Sequence, residues 1–179
     1  MKKSIQLLVC SLLVSIPMIC VVQAQDQKAK PKSDASMPYQ ASYSSKFEMG
    51  DPAKSRMVLE LWKDYDDNAI DRHISWIADT AVMYMADGQM LKGRDNMVAG
   101  VKKSRSSIAQ LKTTVHAWMS LRSTDRNENW VAIWGTEEDT AKDGTKTSVS
   151  LHEVWRFNKD GKVDQIMQYM MAVPPARQE

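Results

Sequence analysis

The stretch Asn129–Met170, NWVAIWGTEEDTAKDGTKTSVSLHEVWRFNKDGKVDQIMQYM, decides the fold of this 179-residue chain. It contains three apolar, tryptophan-rich runs that are separated by KDG and NKDG. An Asp-Gly pair between two hydrophobic runs is the strongest short-range signal for a β-hairpin. The stretch therefore predicts three consecutive antiparallel strands, with Glu153 inside the middle strand.

The register of these strands depends on the two turns. If Asp143-Gly144 is a two-residue turn, Trp134 lies opposite Glu153, and the same treatment of Asp160-Gly161 places Gln168 opposite Glu153. One face then carries Trp134, Leu151, Glu153, Trp155, Ile166, Gln168 and Met170. A three-residue loop with a glycine bulge is equally standard, and it would flip the partners of one strand.

The first 24 residues have the features of a secretory signal peptide. Lys2 and Lys3 precede an uncharged apolar stretch, Ile5–Val22, and Val22-Gln23-Ala24 fits the small-residue cleavage rule. Cleavage there predicts an exported chain, periplasmic or secreted, that begins at Gln25. An uncleaved anchor is the alternative, although the apolar stretch is short for a membrane span of about 20 residues.

The predicted mature chain has no cysteine, because Cys10 and Cys20 both lie in the signal segment. Disulfides and thiol chemistry are therefore excluded after cleavage. Removing Lys2 and Lys3 from 24 basic residues leaves 22 against 22 acidic residues, a formal charge of zero. A neutral chain is a poor partner for nucleic acid or for an anionic membrane surface, and we expect neither partner.

Local patterns divide the rest of the chain into a linker and one domain. Residues 25–50 are polar and lack periodicity, which predicts a flexible linker. Predicted helices begin at Asp51, Asp71 and Gly93, and predicted strands before the last three are Ala81–Ala86 and Leu111–Arg122. Helices followed by a strand meander predict an α+β domain over residues 51–174, with a curved antiparallel sheet wrapped around three N-terminal helices.

Three local matches make this order resemble the NTF2-like superfamily, especially its SnoaL-like members. Ile77–Val82 resembles the family's entry into its first strand, and Leu91-Lys92-Gly93 precedes a helix as it does in the family. Val154–Val163, VWRFNKDGKV, is very close to the pattern of the penultimate hairpin. The resemblance covers about Asp51 to Val173, and it implies a cone with a pocket between sheet and helices. The superfamily includes enzymes and non-enzymes.

The resemblance also points to Glu153 as a pocket residue. In the ketosteroid isomerases of this superfamily, a pocket carboxyl stands four residues before the Phe of this hairpin, which here is Phe157. A carboxyl walled by Trp134 and Trp155 would be poorly solvated, so its pKa should rise toward the range of a general acid/base. In the comparison, Tyr84 falls near the position of the isomerase's base, which makes Glu153 and Tyr84 the candidate catalytic pair. The alternative for Tyr84 is a packing residue with its hydroxyl at the rim. The structural alternative is a half-exposed Glu153 that pairs with a cation.

The candidate ligand-binding residues are large side chains that the register and the resemblance bring near Glu153. They are Trp62, Tyr65, Trp118, Trp134, Leu151, Trp155, Gln168 and Met170. His73, His116 and His152 fall on a short helix and on two non-adjacent strands, so we expect no metal site and no cofactor. His116 and Trp118 are expected to share one strand face.

Three functions stay open at this level. The first is an exported domain whose apolar pocket binds a small hydrophobic molecule. The second is an enzyme of the isomerase, cyclase or dehydratase type that uses Glu153 as a general acid/base. The third is a non-catalytic module that dimerises through the convex sheet face, on which the predicted register places Val131, Ile133, Val154 and Met167. A homodimer is expected because large apolar patches are rare on monomers.

Overall fold

The computed structural model describes residues 37–173, and residues from Tyr39 onward form one compact unit. The predicted signal peptide, residues 25–36 of the predicted linker and Pro174 lie outside the described residues. The helices are α1 (Pro52–Asp66) and α2 (Arg94–Ser106). The strands are β1 (Phe47–Met49), β2 (Ile77–Tyr84), β3 (Met90–Lys92), β4 (Ile108–Ser123), β5 (Glu128–Ala141), β6 (Lys146–Phe157) and β7 (Val163–Ala172).

The seven strands form one curved sheet in the order β1-β4-β5-β6-β7-β2-β3. Strands β4 to β7 are the predicted antiparallel meander. Strand β2 lies parallel to β7, so the sheet is mixed and not purely antiparallel. The α+β class and the unclosed cone are therefore confirmed, with one parallel strand pair added.

The described chain contains two helices where the sequence predicted three. Helix α1 begins as expected, with the Asp51 carboxylate accepting a hydrogen bond from the Ala53 backbone N–H at 2.9 Å. The helix predicted from Asp71 is a single 3-10 turn, because Asn68 has a φ of +54° and β2 already begins at Ile77. Helix α2 follows β2 and β3, so the helices are not all N-terminal to the sheet. Neither helix is long and apolar enough to cross a membrane.

The turn between β5 and β6 corrects the predicted register. Its loop contains three residues, 142–144, and Gly144 has a φ of +88°, a conformation that favours glycine. The three-residue alternative is therefore the correct one, and Ile133 instead of Trp134 pairs with Glu153. Since a shift of one residue moves a side chain to the other face, Trp134 leaves the face of Glu153.

The register between β6 and β7 agrees with the prediction. Gln168 pairs with Glu153, and Met170 pairs with Leu151. A β-bulge at residues 156–157 lies between these pairs and the turn. The carboxyl of Glu153 and the amide of Gln168 therefore start from adjacent positions on one face of the sheet.

The concave face of the sheet packs against the helices and contains the core. Its buried residues include Val58, Trp62, Met97, Val131, Ile133, Leu151, Trp155, Phe157, Val163 and Ile166. Val131 and Ile133, which the sequence assigned to the convex face, are fully buried here because of the one-residue shift in β5. Val154 and Met167 lie on the convex face as predicted.

Part of the predicted linker packs against the sheet. Strand β1 pairs with the end of β4. The ring of Tyr43 meets Trp130 edge-on, with 6.0 Å between the ring centroids, and its hydroxyl donates to the Glu128 carboxylate at 2.6 Å. The guanidinium of Arg126 lies 3.9 Å from the centroid of the same ring. Tyr43 is therefore an aromatic anchor that ties this otherwise polar segment to the convex face of the sheet.

Candidate functional site

Glu153 lies at the centre of the concave face and accepts three hydrogen bonds. Its Oε2 accepts from the indole N–H of Trp62 at 2.7 Å and from that of Trp155 at 3.0 Å. Its Oε1 accepts from the side-chain amide of Gln168 at 3.0 Å. Because Trp62 belongs to α1 and the other donors to β6 and β7, this carboxyl ties the helix to the middle of the sheet. We call these four residues the Glu153 hub.

Burial and hydrogen bonding act on the Glu153 carboxyl in opposite directions. The side chain is 4% exposed, and burial raises its pKa, whereas the three donors partly offset this by favouring the ionised form. An indole N–H can only donate, so Oε2 stays an acceptor in either protonation state. When the carboxyl is protonated, the proton therefore resides on Oε1. The Gln168 amide must then turn its oxygen toward that proton.

Two clefts on the surface of the described residues lie away from this hub. One, of about 420 Å³, is lined by Asn68, Ala69, Ile70, Asp71, Arg72, Lys102 and Ser106. The other, of about 300 Å³, is lined by Asp79, Gly93, Arg94, Asp95 and Asn96. Glu153 lines neither of them, and with 4% exposure its side chain is enclosed.

Tyr84 is not beside Glu153, so the structure does not bring the predicted catalytic pair together. Tyr84 pairs with Met167, which in turn pairs with Val154 on the convex face. Its side chain is 41% exposed. Alternation along β2 explains this position, because the buried Met83 faces the core and its neighbour must face outward.

Trp134 also lies on the convex face. Its ring stacks on His152, with 4.6 Å between the centroids, and His152 contacts Tyr169 at 5.7 Å. Burial lowers the pKa of His152. These three rings form an aromatic row across β5, β6 and β7, on the face opposite the Glu153 hub.

Trp118 and His116 do not share a strand face, because a β-bulge separates them. The His116 ring nitrogen lies 2.8 Å from the Thr136 hydroxyl, on the convex side. Trp118 pairs with Ile133 and is 53% exposed. It is two strands, or about 10 Å, from Glu153. In residues 37–173, no group of three or more His, Cys, Asp or Glu side chains is placed to hold a metal ion.

Burial on the concave face decreases toward one end of the strands. In β6, Trp155, Glu153 and Leu151 are buried, whereas Val149, the next residue on this face, is only half-buried. In β7, Met170 is 47% exposed although it pairs with the buried Leu151. The helices therefore leave the concave face uncovered near residues 149 and 170. We call this region the open end of the cone.

Glu137 is a second carboxyl on the concave face, at the open end. It follows Ile133 and Gly135 in the alternation of β5 and pairs with Val149. Burial is the main cause that raises its pKa from 4.5 to about 7, and the carboxylates of Asp139, Glu153 and Asp66 add to it. Arg105 opposes the shift. Glu137 thus combines partial exposure with a proton affinity suited to neutral pH.

A signal for Glu137 is present in the sequence, but the charged residues beside it obscure it. The run Glu137-Glu138-Asp139 is typical of a solvated strand end. With the three-residue loop, however, Ile133, Gly135 and Glu137 fall on the core side of one strand. Tyr65, a predicted ligand-binding residue, lies near this carboxyl, and burial raises its pKa.

The sequence model of the SnoaL-like domain family matches residues 56–166, more than half of the chain. No curated protein matches the sequence. Among solved structures, an NTF2-like protein of unknown function from an Exiguobacterium species is 18% identical, with a TM-score of 0.53 over 64% of this chain and 97% of that chain.

Two further solved structures share the fold. An LEH-like epoxide hydrolase from M. tuberculosis is 11% identical, with a TM-score of 0.56 over 67% of this chain and 84% of that one. A Catenulispora acidiphila protein with a ketosteroid isomerase-like fold, in complex with trimethylamine, is 16% identical, with a TM-score of 0.51 over 67% and 86% of the two chains. Identities this low establish the fold and not the activity.

Proposed function

This chain belongs to the SnoaL-like domain family, and on that premise we propose that it binds a small, largely apolar molecule at the open end of its cone. The observation that carries the proposal is the burial gradient along β6 and β7, which leaves apolar side chains uncovered at one end only. Met170 and Val149 supply apolar contacts there, and Glu137 supplies a polar one. This combination of apolar walls with few polar groups is typical of small-molecule sites.

The Glu153 hub forms the floor of the proposed site. Three side-chain donors hold its carboxyl in place, so this floor is rigid. Groups nearer the surface would therefore make the polar contacts to a ligand. Gln168, the hub residue nearest to Met170 along β7, is half-buried. The ligand would therefore lie above Leu151 and not beside Glu153.

Binding of the neutral fluorescent dye Nile red tests this site. We expect saturable binding to the purified protein, and we expect Met170→Lys to weaken it by about tenfold, roughly 1.4 kcal/mol, because the variant places a charge among the apolar contacts. Met171→Lys is the matched control, since Met171 is 68% exposed but points to the convex face. Equal losses in both variants would place the dye elsewhere and contradict the proposal.

A second candidate function is proton transfer on the bound molecule, with Glu137 as the general acid/base. The pKa of about 7 favours it, because a catalytic group works best when its pKa is near the working pH. The M. tuberculosis protein with this fold is named an epoxide hydrolase, which supports the proposal that this fold can carry a catalytic site. Turnover of a co-purified ligand, identified by native mass spectrometry and lost in Glu137→Gln, distinguishes this candidate from binding alone.

We also propose that the protein is exported and processed. Lys2, Lys3, the apolar stretch Ile5–Val22 and the Val22-Gln23-Ala24 site support signal cleavage before Gln25. N-terminal sequencing of the protein from the periplasmic or culture fraction should begin at Gln25. Recovery of the intact Met1 N-terminus from membranes would contradict it.

A second copy of the chain is the partner we propose for the convex face. Tyr169 and Met171 are 55% and 68% exposed there, next to the stacked rings of Trp134 and His152. The His152 Nε2 atom is buried and has no hydrogen-bond partner among the described residues. Sedimentation at micromolar concentration should give twice the chain mass, and Tyr169→Lys should reduce it to the monomer. A wild-type monomer would overturn the proposal.

A further inference from the structure

A buried carboxylate and a partly exposed imidazole meet at the C-terminal end of α1. Asp64, in the last turn of α1, has a side chain that is 2% exposed. Its Oδ2 lies 2.8 Å from Nδ1 of His73, and its Oδ1 accepts from the Arg72 guanidinium at 3.0 Å. The ring of His73 stacks on Trp76 at a centroid distance of 4.0 Å. Carboxylate and indole together fix the imidazole in position and orientation.

The contact with Asp64 also sets the tautomer of His73. A carboxylate only accepts, so Nδ1 carries the hydrogen and Nε2 of the neutral ring holds a free lone pair. Nε2 makes no hydrogen bond to any described residue, and it is not among the buried polar atoms that lack a partner. With the side chain 24% exposed, Nε2 therefore reaches solvent.

We propose that Asp64 and His73 form a catalytic dyad, in which His73 is a general base for the hydrolysis of small esters. Fixing the tautomer and orientation of an imidazole with a buried carboxylate is what makes a histidine an efficient base. Arg72, the residue before His73, lines the 420 Å³ cleft, so the dyad follows this cleft directly in the sequence. This activity is separate from ligand binding at the open end of the cone.

The chemical step needs only water as a co-reactant. His73 Nε2 takes a proton from a water molecule as the water oxygen forms a bond to the ester carbonyl carbon. The tetrahedral intermediate then breaks its bond to the leaving oxygen. The imidazolium returns its proton to that alkoxide, or to solvent when the leaving group is a stable phenolate, and the Asp64 carboxylate stabilises the imidazolium throughout.

A purely structural clamp is the competing explanation. Arg72 alone already connects Asp64 to the segment between α1 and β2, and it also contacts Asp67 at 3.4 Å. A clamp does not require an imidazole whose second nitrogen is free and solvent-accessible. The two explanations differ in a measurable way, because only the dyad predicts reactivity at Nε2.

Hydrolysis of p-nitrophenyl acetate by the purified protein tests the dyad. We expect kcat/KM to fall about 100-fold in His73→Gln, the lower range of a general-base contribution. The Gln side chain can still donate to Asp64, so the clamp persists. Asp64→Asn should lower the rate about tenfold because it no longer stabilises the imidazolium. His116→Gln, an exposed histidine on the sheet, is the matched control and should keep the wild-type rate.

Labelling with diethylpyrocarbonate provides a readout that needs no variant. Mass spectrometry of the wild-type protein should place the first modification on His73, and ester hydrolysis should be lost in proportion to that modification. Absence of hydrolysis by the wild-type protein would overturn the proposal. A wild-type rate in folded His73→Gln, or a rate that persists after full modification of His73, would also overturn it.

Discussion

Glu153 and Glu137 are carboxyls on the same face of the same sheet, yet their surroundings differ in kind. Three side-chain donors surround Glu153, whereas Glu137 has the carboxylates of Asp139 and Asp66 nearby. Burial raises the pKa of both groups. The three donors fix the Glu153 carboxyl as a structural group in the core. Glu137 has no such donors among the described residues and lies nearer to solvent. Position on a strand does not decide between structural and chemical roles, but the neighbouring donors and charges do.

The largest predicted effect is the loss of stability in Glu153→Ala. The substitution leaves the indole N–H groups of Trp62 and Trp155 and the amide of Gln168 without an acceptor in the core. Each buried unsatisfied donor costs about 1–3 kcal/mol, so we expect a loss of about 3–5 kcal/mol in the free energy of unfolding. Chemical denaturation measures it.

Glu153→Gln is the matched control for this loss. Its amide oxygen can accept from both indoles, and its NH₂ can face a reoriented Gln168. We expect a loss below about 1.5 kcal/mol, and a stability that depends less on pH because a buried ionisable group has been removed. Equal losses in the Ala and Gln variants would show that side-chain volume, and not the acceptor, is what the hub requires.

The next effect concerns Gly135, the residue between the two carboxyls on the concave face. A Cβ atom here would lie 2.8 Å from the backbone oxygen of Thr114 and 2.9 Å from the Trp62 ring. Gly135→Ala should therefore displace the ring that donates to Glu153, with a loss of about 1–3 kcal/mol. Gly100→Ala, in α2, is the control, because its Cβ would meet only the flexible end of the Leu91 side chain in β3. Heat denaturation should separate the two variants, and similar melting temperatures would argue against the close fit at Gly135.

The fold could be predicted because its signals are local. Asp-Gly turns, the Asp51-Pro52 helix start and the alternation of apolar residues each depend on a few neighbours, and they correctly gave α1, α2 and the meander. The three-residue loop at Gly144 could not be chosen over a two-residue turn, because the same dipeptide fits both. The choice of the two-residue turn is the reason why the predicted register placed Trp134 opposite Glu153.

The candidate site was predictable only in part, since it depends on contacts between distant segments. The resemblance and the β6–β7 register brought Trp62, Trp155 and Gln168 to Glu153, where all three donate to it. The packing that encloses this carboxyl was not visible in the sequence. Glu137 was missed because its charged neighbours dominate the local pattern. In addition, only the tertiary structure shows that Asp66 lies near it.

The smallest effect tests the open carboxyl through the pH dependence of stability. Because the pKa of Glu137 is raised from 4.5 to about 7, the folded chain holds a proton in this window that the unfolded chain has released. The free energy of unfolding should therefore fall as the pH rises from about 4.5 to 7 and should then level off. Glu137→Gln cannot release this proton, so it should match the wild type near pH 4.5 and exceed it at pH 8. We expect a gain of about 1–2 kcal/mol after allowance for partial exposure.

Glu138→Gln is the control for this pH measurement, because it makes the same chemical change at the adjacent residue. Glu138 is exposed, with its carboxylate 3.1 Å from the Lys112 ammonium, and it lies on the opposite face of β5. Its variant should follow the wild-type pH curve within about 0.5 kcal/mol. If the two variants gave the same curve, Glu137 would be an ordinary solvated carboxylate, and its contrast with Glu153 would reduce to a difference in exposure.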